Sequence, residues 1–168
     1  MKHLLTALLI TTLTAPAGAE SFGAWSTSIA TDGSLIAATS NAAGDVLGQY
    51  CVPSANSCYW LLAIGSPCTA SGSYTALSNS ESGTAQLRLL CLPQSAAGQY
   101  RYVFEDFATI DHIVKTDTRV GFALALQNGQ FKAVRFDHTG SRLANDHMRR
   151  QAGESAPQQT KPAGVEFF

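Results

Sequence analysis

The chain has 168 residues with 12 acidic and 11 basic side chains, and 45% of it is hydrophobic. A balance so close to neutral argues against nucleic acid or an anionic membrane surface as the main partner. The length suits one domain with a sizeable core.

Met1 to Ala19 opens with Lys2, an apolar run from Leu4 to Leu13, and the small residues Ala17-Gly18-Ala19 ahead of Glu20. This layout predicts a cleaved secretory signal peptide, and so a periplasmic or secreted mature protein starting near Glu20. No cysteine follows the cleavage site, so no lipid anchor is expected. No later segment reaches the ~20 apolar residues of a membrane helix, and no integral membrane segment is expected.

Residues 20–150 read as a single β-rich domain. Gly23 to Ala30 and Ser34 to Ser40 are strand-like runs joined by Thr31-Asp32-Gly33, and Asn41-Ala42-Ala43-Gly44 turns the chain into Asp45 to Val52. Cys58 to Gly65 is apolar throughout, which suits a strand covered on both faces. Gly72 to Leu77 is a weaker strand leading into a Ser/Asn/Gly loop. Thr84 to Leu92 and Gln99 to Glu105 follow, the latter with Tyr100, Tyr102 and Phe104 on one face. Phe107, Ile110, Ile113 and Val114 then recur at helical spacing. Asn128-Gly129 between two apolar runs predicts a type I′ hairpin, with Phe122 opposite Arg135 and Leu124 opposite Ala133. Ser141 is placed to cap a short helix through Arg150. Residues 151–168 read as a disordered tail. The tail ends in Phe168, as outer-membrane barrels often do, but Pro157 and Pro162 break the alternation that a closing barrel strand needs. The expected fold is therefore mainly β: an antiparallel β-sandwich or partly open barrel of eight or nine strands with one or two short helices.

Cys51, Cys58, Cys68 and Cys91 make an even count in an exported chain, which predicts two disulfides with three possible connectivities. A turn-rich loop separates Cys51 from Cys58. If its flanking strands pair 51 with 58, then Gln49 faces Trp60 and Leu47 faces Leu62. That register favours Cys51–Cys58 and leaves Cys68 for Cys91. Thiolate-bound zinc is the alternative, but the CxxC spacing is absent.

Searching for chemistry yields no nucleophile elbow, phosphate loop or HExxH helix, so no catalytic residue, metal site or cofactor is assigned. Three Asp-His pairs stand out: Asp111-His112, Asp137-His138 and Asp146-His147. Neighbouring residues diverge on strands and helices alike. A metal site would therefore need the three histidines to converge from separate elements, and solvated or capping side chains are the expectation. Glu105, Asp106 and Asp111 resemble a hydrolase acid pair, yet acids gather at a helix start for electrostatic reasons alone. Trp25, Tyr50, Tyr59, Trp60, Tyr74, Tyr100 and Tyr102 would suit a groove, but cross-strand packing is the commoner use of strand aromatics.

Ser21-Phe22-Gly23-Ala24-Trp25 and the stretch Val120 to Ala144, with Gly140-Ser141-Arg142-Leu143-Ala144, are similar to the opening and closing patterns of the invasion-associated locus B family of exported bacterial proteins. The resemblance implies a periplasmic or surface β-rich domain with two disulfides, linked in some members to host-cell entry. It carries no catalytic residue. A cysteine often found soon after the family's Trp is missing, since Ser26 to Ile29 occupies that region.

The sequence thus leads to an exported, non-enzymatic interaction module with a protein partner, engaged in host or envelope contact. The alternative is a small inhibitor or immunity protein acting on a hydrolase or toxin. It would use the loop Ser78 to Gly83 or the loop Pro53 to Ser57.

Overall fold

The structure, a computed structural model, describes residues 19–94, 98–126 and 128–153. The expected signal peptide up to residue 18 and the expected tail from residue 154 lie outside the described residues. Period-2 alternation gives strands β1 (Glu20–Phe22), β2 (Trp25–Ile29), β3 (Leu35–Ser40), β4 (Val46–Val52), β5 (Ser57–Ile64), β6 (Ser73–Ser80), β7 (Gly83–Leu92) and β8 (Tyr100–Phe104). Helix α1 (Phe107–Thr116), the hairpin β9 (Arg119–Ala125) and β10 (Phe131–Asp137), and helix α2 (Ser141–Gln151) complete the chain. The strands form one antiparallel sheet in the order β1-β2-β3-β4-β5-β8-β7-β6-β9-β10. The molecule is thus mainly β with an open sheet. The strand missed in the sequence is β1, whose three residues are too few to show a period.

One face of the sheet carries the core. Trp25, Trp60, Tyr102, Phe104, Phe122 and Phe136 are its largest fully buried side chains. Both helices pack there through the stripes Phe107, Ile110, Ile113, Val114 and Ala144, Met148. The Asp106 carboxylate caps α1, accepting hydrogen bonds from Thr109 N at 3.0 Å and Thr109 Oγ1 at 2.6 Å. Leu61, Leu92 and Val103 form a small second cluster on the outer face, so β5 is indeed covered on both sides.

Three local expectations change. The β9–β10 hairpin is not a two-residue type I′ turn. Leu126 N donates to Gln130 O at 2.8 Å, which leaves three residues in the loop with Gly129 at φ +78°. Phe122 accordingly faces Val134 and Val120 faces Phe136, while Arg135 faces Gly121. A one-residue slip exchanges the faces of a strand. The two-residue register would set core Phe122 against Arg135, so burial of Val134 and Phe136 selects the longer loop. Gly129→Ala meets open space but must hold a left-handed backbone. It should lower stability by about 1–2 kcal/mol in urea unfolding without changing the fold.

The segment beyond Leu77 is not a loop, since β6 runs on to Ser80 and turns through Glu81 and Ser82 alone. That turn is fastened from the α1–β9 junction. Ser82 Oγ donates to the Asp117 carboxylate at 2.5 Å, and Glu81 accepts from Thr118 Oγ1 at 2.7 Å. Finally, Ser141 does not cap α2. Gly140 holds the cap position, and the buried Ser141 hydroxyl donates to Val114 O at 2.6 Å, tying the two helices together.

Candidate interaction surface

The disulfides are Cys51–Cys58, across the β4–β5 pair, and Cys68–Cys91, tying the β5–β6 connection to β7. The pairs Gln49↔Trp60 and Leu47↔Leu62 accompany the first. The three histidines stand apart. His112 is exposed on α1, His138 is buried after β10, and His147 on α2 faces Glu20 at 3.5 Å. Among the described residues no group of three His, Cys, Asp or Glu side chains is placed to hold a metal ion. Glu105 pairs with Arg88 at 3.0 Å on the surface. Four of the seven aromatics, Trp25, Trp60, Tyr74 and Tyr102, are core residues rather than groove residues. Tyr50 and Tyr59 stack at 5.9 Å on the outer face, where burial raises the Tyr59 phenol to about 12.

Asp111 is not an N-terminal helix acid. It is the hub of a buried polar network that sequence reasoning missed. Its carboxylate takes Arg149 Nη2 at 2.5 Å, Lys115 Nζ at 2.9 Å and the Trp60 indole N–H at 3.3 Å. Arg149 Nε also donates to Gln49 Oε1 at 2.8 Å, and its guanidinium lies 5.8 Å from the Phe107 ring centroid. The network joins α1 and α2 to β4 and β5 through these side chains.

The stretches that carry the family resemblance meet in space. Ala24 N donates to Thr139 O at 2.9 Å, and the Trp25 indole donates to Asp137 O at 3.1 Å. Gly140, at φ +87°, lies so close to Phe22 that a Cβ there would sit 1.7 Å from the Phe22 carbonyl oxygen. These residues clasp the β1–β2 turn to the β10–α2 turn. His138 sits inside the clasp, 3% exposed and edge-on to Trp25 at 6.0 Å. Burial holds its pKa below the usual 6.5, outweighing the Asp117, Asp137 and Glu81 carboxylates and the Ile113 carbonyl, which favour the charged ring. The unfolded chain therefore binds the proton more readily. Stability is full above about pH 6.5 and falls as the pH drops from there toward the lowered folded value. The Asp106 and Asp137 carboxylates, held low by hydrogen bonds from Thr109 and Thr139, lose their contribution only below pH 3.8. Urea midpoints at pH 7.5 and 5.5 should differ more for the wild type than for His138→Phe; equal slopes would remove His138 from the account.

The outer face of β6, β9 and β10 carries mostly small side chains. Here the strands turn outward Leu77, Gly121, Ala123, Ala133 and Arg135, with cross-strand pairs Leu77↔Ala123 and Ala123↔Ala133. Small side chains leave a groove of about 610 Å³ over this face, and an adjoining hollow of about 250 Å³ runs to Glu81 and Arg119. Leu77 is 56% exposed and Phe131, at the start of β10, is 72% exposed. A separate feature is the β4–β5 loop. Its residues Pro53–Ala55 form an exposed 3-10 turn closed by Asn56 at φ 45°, with Cys51–Cys58 at its base.

The class this architecture defines is a disulfide-bonded antiparallel β-domain with two helices on the core face of an open sheet. Its fold is similar to that of invasion associated protein B from Bartonella henselae, with a TM-score of 0.58 and 14% identity over 82% of this chain and 100% of that one. No protein-family model matches the chain, and no curated protein matches it in sequence. The likeness is one of fold. Among the described residues no helix is long and apolar enough to cross a membrane, and the two disulfides suit an oxidising compartment outside the cytoplasm.

Proposed function

We propose that the protein is an exported, non-enzymatic interaction module that binds a protein partner through the outer face of β6, β9 and β10. The observation that carries this reading is exposed Leu77 on the wall of a groove lined by Gly121, Ala123 and Ala133, with exposed Phe131 two residues before Ala133 on β10. The fold of invasion associated protein B is a compatible scaffold, and contact with the envelope or a host surface is the setting we assign. The test compares capture by oxidised wild type and by a Leu77→Asp/Phe131→Ser double variant from envelope and host-cell extracts. A partner held by the wild type and lost by the folded double variant supports the reading. An identical captured set would count against this face.

A second reading, inhibition of a hydrolase or toxin, draws support from the exposed β4–β5 loop braced by its disulfide. Rigid protruding loops enter clefts at little ordering cost. Capture of one hydrolase that depends on residues 53–56, and not on Leu77 or Phe131, would favour it.

A further inference from the structure

The clasp between the β1–β2 turn and the β10–α2 turn is closed over a buried histidine. The backbone of His138 is fixed from two sides, by His138 N donating to Thr118 O at 2.7 Å and Ser141 N donating to His138 O at 2.9 Å. The Ser141 hydroxyl in turn donates to Val114 O, so α1, β9 and α2 are tied together at this corner. The β1–β2 turn is held more lightly. Two hydrogen bonds join it to the corner, from Ala24 N to Thr139 O at 2.9 Å and from the Trp25 indole to Asp137 O at 3.1 Å. Both acceptors are chain neighbours of His138. Strand β1 has three residues and pairs only with β2 in the sheet. The rest of the contact is backbone on backbone: a Cβ at Gly23 would sit 2.7 Å from Thr139 O, and one at Gly140 would overlap the Phe22 carbonyl. Packed contacts of this kind have two arrangements rather than a graded series.

A neutral imidazole suits this corner and an imidazolium does not. The ring is buried against Trp25, and a buried charge must be paired or reach water. The groups acting on the ring are Asp117 at the α1–β9 junction, Asp137 on β10, Glu81 on the β6–β7 turn and the Ile113 carbonyl of α1. Each of those carboxylates already takes another donor, from Ser82, Thr139 and Thr118 respectively. The β1–β2 turn brings Phe22, Gly23, Ala24 and Trp25, none of them charged. Among the adjoining cations Arg119, Arg135 and Arg142 are exposed, and Lys115 pairs with Asp111. An imidazolium carries two N–H donors, and the Ile113 carbonyl can take one. Water reaches the other when the lightly held turn moves. At the start of β1 the sign reverses. His147 on α2 lies 3.5 Å from Glu20 and 5.3 Å from the Phe22 ring, and a proton on His147 completes that ion pair. Acid thus tightens the beginning of β1 while it loosens the turn.

We propose that the clasp is an acid-operated latch: a proton on the His138 ring frees the β1–β2 turn and the Trp25 indole from the β10–α2 turn, while the rest of the sheet stays folded. The latch does not depend on which face binds a partner.

The surrounding carboxylates do not supply the trigger. Hydrogen bonds from Thr139 and Thr118 hold Asp137 and Glu81 below their ordinary values, and at Asp117 burial is outweighed by those from Ser80 and Ser82. All three stay largely charged between pH 7.5 and 4.5. With the ring in water the open form binds a proton near the ordinary 6.5, and burial places the closed form below it. Opening is therefore favoured as the pH falls below 6.5, about tenfold for each unit that separates the two forms.

The test is hydrogen exchange in the oxidised, isotope-labelled mature protein at pH 7.5, 6.0 and 4.5, with the His138 ring titrated by nuclear magnetic resonance in the same samples. Protection factors, corrected for intrinsic exchange at each pH, are followed at the Ala24 amide and the Trp25 indole N–H. The Leu62 amide in β5 and the Trp60 indole N–H, which donates to Asp111, are the internal controls. Protection of Ala24 and Trp25 should fall about fivefold or more over the range in which His138 titrates, while the two controls hold. The fall should vanish in His138→Phe and persist in His147→Gln. If His138→Phe does not fold, the wild-type comparison decides alone. A fall shared equally by Leu62 and Trp60 overturns the proposal, because the change is then global. Flat protection at Ala24 and Trp25 while His138 titrates also overturns it, as does a His138 ring that takes no proton above pH 4.5. A fall that persists in folded His138→Phe assigns the trigger to another group and overturns it as well.

Discussion

Asp111→Ala is expected to destabilise the protein by about 3 kcal/mol, the scale set by removing one partner of a buried ion pair. The Asp111 and Arg149 side chains keep only 18% and 11% of their exposure. Removing the carboxylate leaves the guanidinium with Gln49 Oε1 as its remaining partner in the network, and leaves Lys115 and the Trp60 indole without theirs. The loss falls on the whole molecule because these groups join α1 and α2 to β4 and β5. In urea the midpoint should drop by roughly 1–2 M at unchanged slope. The double variant Asp111→Leu/Arg149→Met should recover most of that loss, since an apolar pair removes both the charge and its desolvation penalty. If the double variant is no better than Asp111→Ala, the pair does not act as a coupled unit.

Loss of the Cys68–Cys91 bridge should have an effect of similar size. The bridged residues are 23 apart in sequence, and closing a loop of that length in the unfolded chain is worth about 3 kcal/mol in the chain-entropy account. The bridge also secures the connection between β5 and β6. Around it the Tyr102 hydroxyl donates to Ser66 O at 3.0 Å, the Tyr74 hydroxyl accepts from Thr69 N at 2.8 Å, and Ser71 N donates to Cys91 O at 2.9 Å. Oxidised Cys68→Ala should therefore melt roughly 6–12 °C below the wild type, with the difference vanishing when both are measured under a thiol reductant. Cys51→Ala should lose less, because its loop spans a separation of only 7 residues and loop entropy grows with the logarithm of length. A deficit that persists in reductant would point to packing of the Cys68 side chain rather than to the bridge.

Some of the candidate surface is legible in the chain. Gly121, Ala123 and Ala125 are visible as small alternating residues of β9, and Phe131 as an apolar residue directly after a turn. Their pairing is not legible, because Asn128-Gly129 fits both a two-residue and a three-residue loop. One residue of difference decides whether Arg135 or Val134 faces the core. The Asp111 network was hidden for a related reason. An acid five residues beyond a helix cap looks like helix electrostatics until α2, thirty-odd residues later, brings Arg149 against it. The clasp at Gly140 had a sequence trace in the two resembling stretches, but nothing in either one shows that they touch.

By itself the sequence determined most of the elements, the short β1 and the end of β6 excepted, since alternation, helical spacing and turn chemistry act over a few residues and need no knowledge of distant partners. It also determined the register of the β4–β5 hairpin, where a turn-rich loop and two cysteines agree with the apolar pattern. Only the tertiary structure decided the strand order with β8 between β5 and β7, the loop length of the last hairpin and the partners of Asp111. Each of these depends on burial summed over residues far apart in the chain, and that free energy belongs to the assembled sheet and helices rather than to any local run.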